Sequence, residues 1–203
     1  MSIFFTSDIH FGHNNIIEYC SRPWKDVEDM DEGLIKNFNS VVGPEDTTYI
    51  IGDISFHKTA TTKYLLSRLN GRLVGVKGNH DPEGGYEGCF KEWNRDFIGK
   101  IDKQMFHMYH FPLSSWYHMN SPYDKTIHLH GHIHSAPGLD DPTQCKFDVG
   151  VDANNWTPVS MDHIMAEAVK RRENRAKWLE KQRKSGNPVS TGYHRRPNAS
   201  QGV

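Results

Sequence analysis

The sequence is poor in cysteine, in long apolar runs and, over most of its length, in positive charge. Its three cysteines, Cys20, Cys89 and Cys145, are odd in number and widely spaced. Neither a disulfide framework nor a cysteine zinc cluster follows from such spacing, and a reducing cytoplasm is the simplest setting for the thiols. No apolar stretch approaches the ~18 residues that mark a membrane span. The amino terminus, MSIFFTSDIHFGH, has no basic start and no small-residue cleavage site, so it does not read as a signal peptide. Net charge is −1 over 203 residues, but from Lys170 onward ten Lys/Arg face two acids, a surplus of +8 that leaves −9 for residues 1 to 169. An acidic body does not grip a long polyanion, and it needs bound cations to handle an anionic substrate.

What the chain has in plenty is histidine, 13 in all, four of them at alternate positions in HLHGHIH, residues 128–134. Period two in a strand would align His128, His130, His132 and His134 on one face, with Ile127, Leu129 and Ile133 on the other. Gly131 interrupts where a strand continues badly. Alone, the run fits a surface strand, a tag remnant or one edge of a metal site, since histidine is the commonest metal ligand.

Apolar patterning gives an α/β chain. SIFFTSD, TTYIIGD and LVGVKGNHD are short apolar runs of the kind found in buried parallel strands. Between the first two, Val27, Met30, Leu34, Phe38 and Val41 recur at helical spacing. Between the second and third lies a helix with Thr59 as N-cap and Gly71 at its C-terminal cap. DFIGKI, QMFHMYHF, KTIHLHG and CKFDVGV read as further strands. Ser160 caps a basic helix to about Lys184, with its charges matching the macrodipole. Residues 1–184, including the helix of 160–184, are expected to form one domain, and the Gly/Pro/Ser-rich 185–203 a disordered tail.

Each N-terminal strand ends in polar residues: Asp8-Ile9-His10, Gly52-Asp53 and Gly78-Asn79-His80-Asp81. Ligands bind at the carboxyl ends of parallel strands, so Asp8, His10, Asp53, Asn79 and His80 should converge, closed from the other sheet by His132 and His134. These blocks, with His110 in YHFPL and Gly131-His132-Ile133-His134, resemble the calcineurin-like metallophosphoesterases, whose pattern is D-x-H, G-D, G-N-H-(D/E), a lone His and G-H-x-H. The match is nearest to small bacterial and phage phosphoesterases.

The resemblance implies a four-layer α/β/β/α sandwich of two mixed sheets. It implies that Asp8, His10, Asp53 and His134 hold one divalent metal, and that Asp53, Asn79, His110 and His132 hold a second. It makes His80 the general acid. His107 is the rival to His110, and His128 and His130 are expected to be structural. A ligand set of N and O without thiolate suits Mn²⁺, with Fe, Zn, Ni or Co as alternatives. Two such cations clamp a phosphoryl group and acidify a bound water. Asn79, Arg22, His57 and His13 are expected to touch the substrate. In place of the G-D-x-V-D-R-G of serine/threonine phosphatases stand Phe56 and His57, which argues against a phosphoprotein substrate. A phosphoesterase acting on a small mono- or diester, a nucleotide or cyclic nucleotide included, is the leading expectation. A nuclease using the basic C-terminal segment on nucleic acid is the alternative, and a non-catalytic scaffold the third. A membrane partner is not expected.

Overall fold

The computed structural model describes residues 1–119, 126–136 and 138–186. Three buried apolar runs become β1 (Ile3–Thr6), β2 (Thr47–Ile51) and β3 (Arg72–Val76), paired in parallel with Ile3 opposite Thr47 and Thr47 opposite Arg72. β4 (Glu92–Asn94) extends this sheet beside β3, and β9 (Val159–Ser160) closes its other edge antiparallel to β1. The second sheet runs β5 (Phe97–Ile101), β6 (Gln104–Met108), β7 (Ile127–His130), β8 (Lys146–Asp148), with β5–β6 an antiparallel hairpin and the rest parallel. That hairpin turns on Asp102 and Lys103, both at positive φ (43° and 70°), as a two-residue turn between right-twisted strands requires. Both sheets are mixed and flanked by helices, as the α/β reading requires.

Alternation along β1 divides the core, because neighbouring strand residues face opposite sides. Phe4 joins Ile50, Met30, Leu34 and Phe38 of α2 (Val27–Val41), and Leu65 and Leu66 of α3 (Thr59–Ser67). Phe5 turns the other way, joining Ile51, Val76, Phe106, Met108, Ile127 and Leu129 between the sheets, together with Ile164 and Ala168 of α4 (Met161–Lys184). Each fully buried side chain of this size contributes roughly 1.5–3 kcal/mol.

Helix ends follow the sequence unevenly. Ser160 Oγ accepts the His163 N–H at 3.2 Å, capping α4 as expected. Thr59 is the first residue of α3 instead of its cap, Lys58 holds the cap without a side-chain bond, and the helix ends at Ser67. Gly71 (φ +84°) serves the turn into β3, where a Cβ would come within 2.6 Å of the Asp46 carbonyl oxygen. Val41, at the end of the apolar spacing, is exposed. β4, β9 and the short α1 (Asn14–Tyr19) have no counterpart in the sequence pattern, being too short to carry a period. From residue 187 on, the expected tail lies outside the described residues. Among the described residues, no helix is long and apolar enough to cross a membrane.

Candidate active site

The two sheets meet where Ser7, just past β1, bridges Gly150, just past β8. Loops leaving both sheets converge there. Asp8 and His10 are pinned to the loop after β2 by N–H bonds to the carbonyls of Gly52 (3.0 Å) and Asp53 (3.1 Å). Asp8, His10, Asp53, His132 and His134 all have positive φ, between 46° and 71°. Non-glycine residues in this region cost of order 1–3 kcal/mol each and cluster at functional sites. Glycine is required beside them. A Cβ on Gly52 would lie 2.5 Å from Gly78 Cα and 2.7 Å from His110 Nδ1, and one on Gly131 would strike Ser7 Oγ and the Asp8 carboxylate.

Side chains from the two sheets form two groups. Asp8, His10 and His134 bring one N or O atom each to within 4.8 Å of one another, and Asp53, His110 and His132 do the same. Asp53 stands between them: its Oδ2 is 3.3 Å from His110 Nε2 and 3.7 Å from His10 Nε2. Asp8 Oδ1 lies 3.9 Å from both His10 Nε2 and His134 Nε2. Hydrogen bonds set the tautomers. His110 Nδ1 donates to the Ile51 carbonyl at 2.8 Å, and His134 Nδ1 to Asp152 Oδ2 at 2.7 Å. In each case Nε2 is left free to ligate, an arrangement typical of metal-bound imidazoles.

Buried polar atoms normally find partners. Here both ring nitrogens of His10 and Nε2 of His110 are buried without one. A set of N and O donors with orphaned nitrogens fits a divalent cation. The electrostatics diverge within the site. Burial pushes the Asp8 carboxyl up to about 6 against the pull of His110 and His134. Burial also raises Asp53, but the His110 imidazole outweighs it and holds that carboxyl at about 2. Burial takes His10 down to about 3. The neighbouring carboxylates raise His110 and His134 despite burial.

The remaining expected residues divide. His80 is nearly half exposed at the mouth, with its N–H on Asp53 Oδ1 at 3.0 Å and its Nε2 3.9 Å from Asp53 Oδ2. Asn79 beside it is exposed. His13 caps α1 by accepting the Ile16 N–H at 3.2 Å, with its ring 5.5 Å from that of His10. His57 is committed to Asp31, with Nε2 2.6 Å from its carboxylate, whose other oxygen takes the Gly12 N–H.

Arg22 corrects the expectation. The sequence places it at the substrate, whereas the structure buries it with 4% of its surface open. Its guanidinium donates twice to Asp152 (2.8 and 2.9 Å) and once each to the carbonyls of Asp8 (2.8 Å) and Ile9 (2.9 Å), with Met30 Sδ at 3.5 Å. That buried fork spends its donors inside the protein.

The histidine run is also redirected. β7 ends at His130, so only His128 and His130 share a strand face, while His132 and His134 leave it in the left-handed region. His128 accepts the Leu113 N–H (3.1 Å) and donates to the His107 carbonyl (2.9 Å). His130 borders a cavity of about 460 Å³ against α4, away from the two groups. His107 accepts the Tyr117 N–H at 3.4 Å and stands outside both groups.

Two carboxylates were missed. Asp81 does not serve the His80 ring: it accepts the N–H groups of Asp53, Gly78 and Ile54 at 2.8–3.0 Å, stitching two loops together. Asp152 links Arg22 to His134, and its only sequence signal was its place in FDVGVD.

A sequence model of calcineurin-like phosphoesterases matches residues 1–201. The chain belongs to the calcineurin-like phosphoesterase family. Calcineurin-like phosphoesterases are divalent-metal-dependent hydrolases of phosphoric esters, and the two groups above are candidate ligand sets for such a metal. An uncharacterized protein of Methanocaldococcus jannaschii is 38% identical over 170 residues, covering 80% of this chain and 89% of its own. The gene 66 protein of Mycobacterium phage L5 is 41% identical over 80 residues, covering 38% of each chain. A protein of unknown function from Aquifex aeolicus superposes with a TM-score of 0.66 over 81% of this chain and 98% of its own, at 23% identity, a likeness of fold.

Proposed function

We propose that this calcineurin-like phosphoesterase hydrolyses small phosphate mono- or diesters at a dinuclear centre, with Mn²⁺ as its working metal. The observation that carries the reading is Asp53, whose carboxylate stands between two separate ligand groups. Asp8, His10, Asp53 and His134 would hold one cation, and Asp53, Asn79, His110 and His132 the other. Bound there, divalent cations supply charge neutralisation on the phosphoryl oxygens and a water of lowered pKa.

The chain's own residues do the rest. His80 Nε2 gives its proton to the leaving oxygen, and Asp53 holds the His80 backbone by accepting its N–H. Ile51 and Asp152 fix the His110 and His134 rings. Free thiols at Cys20, Cys89 and Cys145 suit a cytoplasmic enzyme. Bis-p-nitrophenyl phosphate tests the reading: hydrolysis with Mn²⁺ and none with EDTA is expected, and equal rates in both end it.

A nuclease reading is favoured by one observation. Beyond Ala168, α4 is largely exposed and carries Lys170, Lys177, Lys181, Arg183 and Lys184. Truncation at about residue 169 should then abolish salt-sensitive DNA binding. A truncated chain that binds DNA unchanged removes that alternative.

A further inference from the structure

Phe56 is where a buried residue would be expected and an exposed one is found. It follows the fully buried Ile54 and the buried Ser55, yet 44% of its surface is open. Its backbone is held in place by its N–H on the Phe11 carbonyl at 2.7 Å. Its ring stacks on His10 (centroids 5.4 Å, interplanar angle 29°), meets His13 edge-on at 4.2 Å and lies 4.7 Å from His80. Three contacts on a fixed backbone pre-organise the ring while leaving part of it open at the mouth. An open, fixed ring of that kind gains most when a flat group covers it, since both faces then leave water.

The position identifies which part of a substrate would do so. His80 protonates the leaving oxygen in the mechanism above, and Phe56 is in contact with His80. A group seated on Phe56 is therefore carried by the leaving alcohol. Two basic side chains next to the ligand loops are committed within the protein: Arg22 spends its donors on Asp152 and on the Asp8 and Ile9 carbonyls, and Lys77 lies 3.4 Å from Glu83. The acidic body adds no attraction for an anionic leaving group. What the mouth offers instead is aromatic surface, continued by His13 and the exposed Tyr19, whose rings are 6.4 Å apart.

We infer that Phe56 is a specificity-determining platform for phosphoesters whose leaving alcohol bears a neutral planar ring, a nucleoside being the class that fits. The inference rests on the phosphoesterase reading and adds the leaving-group side of its substrate. Stacking of a base on an aromatic side chain is worth roughly 5- to 150-fold in binding.

The test pairs two primary alcohols of similar leaving ability, adenosine 5′-phosphate against glycerol 3-phosphate, each also as its methyl diester. Full-length protein loaded with Mn²⁺ is assayed for released adenosine or glycerol. The adenosine esters should be preferred at least about tenfold in kcat/KM, through KM. Phe56→Leu, which keeps bulk against His80 without a π-face, should bring that preference close to one, and Phe56→Trp should retain it. Equal kcat/KM for both alcohols in the unaltered protein, or a preference that survives Phe56→Leu, overturns the inference while leaving the hydrolase standing. A fall in kcat alone, equal for both alcohols, marks Phe56 as mere support for His80 and overturns it too. Cleavage of bis-p-nitrophenyl phosphate without cleavage of any of the four esters overturns the inference and leaves the hydrolase standing; failure on all five removes both readings.

Discussion

His80 and Asp53 are joined by an N–H bond of 3.0 Å, yet their variants should fail in different ways. Asp53→Asn removes a negative charge where two cations would meet, and should strip or scramble the metals. His80→Ala should keep two metals per chain and lose about 10²- to 10⁴-fold in rate, the usual worth of a general acid. Metal analysis beside kinetics separates them, and a His80→Ala protein without metal would remove the assignment. Arg22 fails differently again. Arg22→Met leaves the buried Asp152 with His134 alone and without its guanidinium partner, a loss of about 3–5 kcal/mol in urea denaturation. A loss under about 1 kcal/mol would mean the ion pair is idle. The metal-site blocks could be read from the sequence because coordination demands particular residue types next to strand ends. Arg22 with Asp152 and His57 with Asp31 could not, since each pair joins residues 130 and 26 positions apart whose types alone say only "charged".

At the scale of elements, the long ones were legible and the short ones were not. α2 and α4 span 15 and 24 residues, long enough for a period and a cap to agree, whereas α1 has six residues and β9 two. HLHGHIH shows how period two misleads when a glycine ends the strand: Gly131 bonds back to the His110 carbonyl, and the chain turns into the site. His128, left on the strand, has its own consequence. Burial takes its pKa down to about 3, so the folded state holds it neutral while the unfolded chain protonates it near its ordinary value of 6.5. The fold then binds fewer protons between these values, so stability is full above pH ~6.5 and drains as pH falls towards 3, at about 1.4 kcal/mol per pH unit. Between pH 7 and 5 in EDTA, His128→Gln should lose about 2 kcal/mol less than the unaltered protein in urea denaturation. Identical pH dependence would show that this histidine is not neutral in the fold. The basic end of the chain calls for a separate measurement. Deletion of residues 186–203 should leave hydrolysis of a small chromogenic ester within about twofold, since none of the metal-ligand motifs falls in that stretch of sequence; loss of cleavage would place the tail in the site.

At the scale of the molecule, each ligand group draws from both sheets: Asp8 and His10 face His134, and Asp53 faces His110 and His132. Cations that bind only this arrangement stabilise the whole fold by mass action, roughly 2.7 kcal/mol at a hundredfold excess over Kd. Mn²⁺ should therefore raise Tm and EDTA reverse the rise, as scanning calorimetry can follow. An unchanged Tm would mean the groups do not bind it. The same division fixes when the centre can come into being. A chain emerging from synthesis holds Asp8, His10 and Asp53 long before His132, His134 and Asp152 are made, so its first half has ligands with nothing opposite them. Closure waits until the strands after residue 126 have docked across more than a hundred residues of chain. Rapid-mixing refolding should accordingly find ion capture as the last event, following the burial of Phe5 and Phe106 instead of accompanying the first helices.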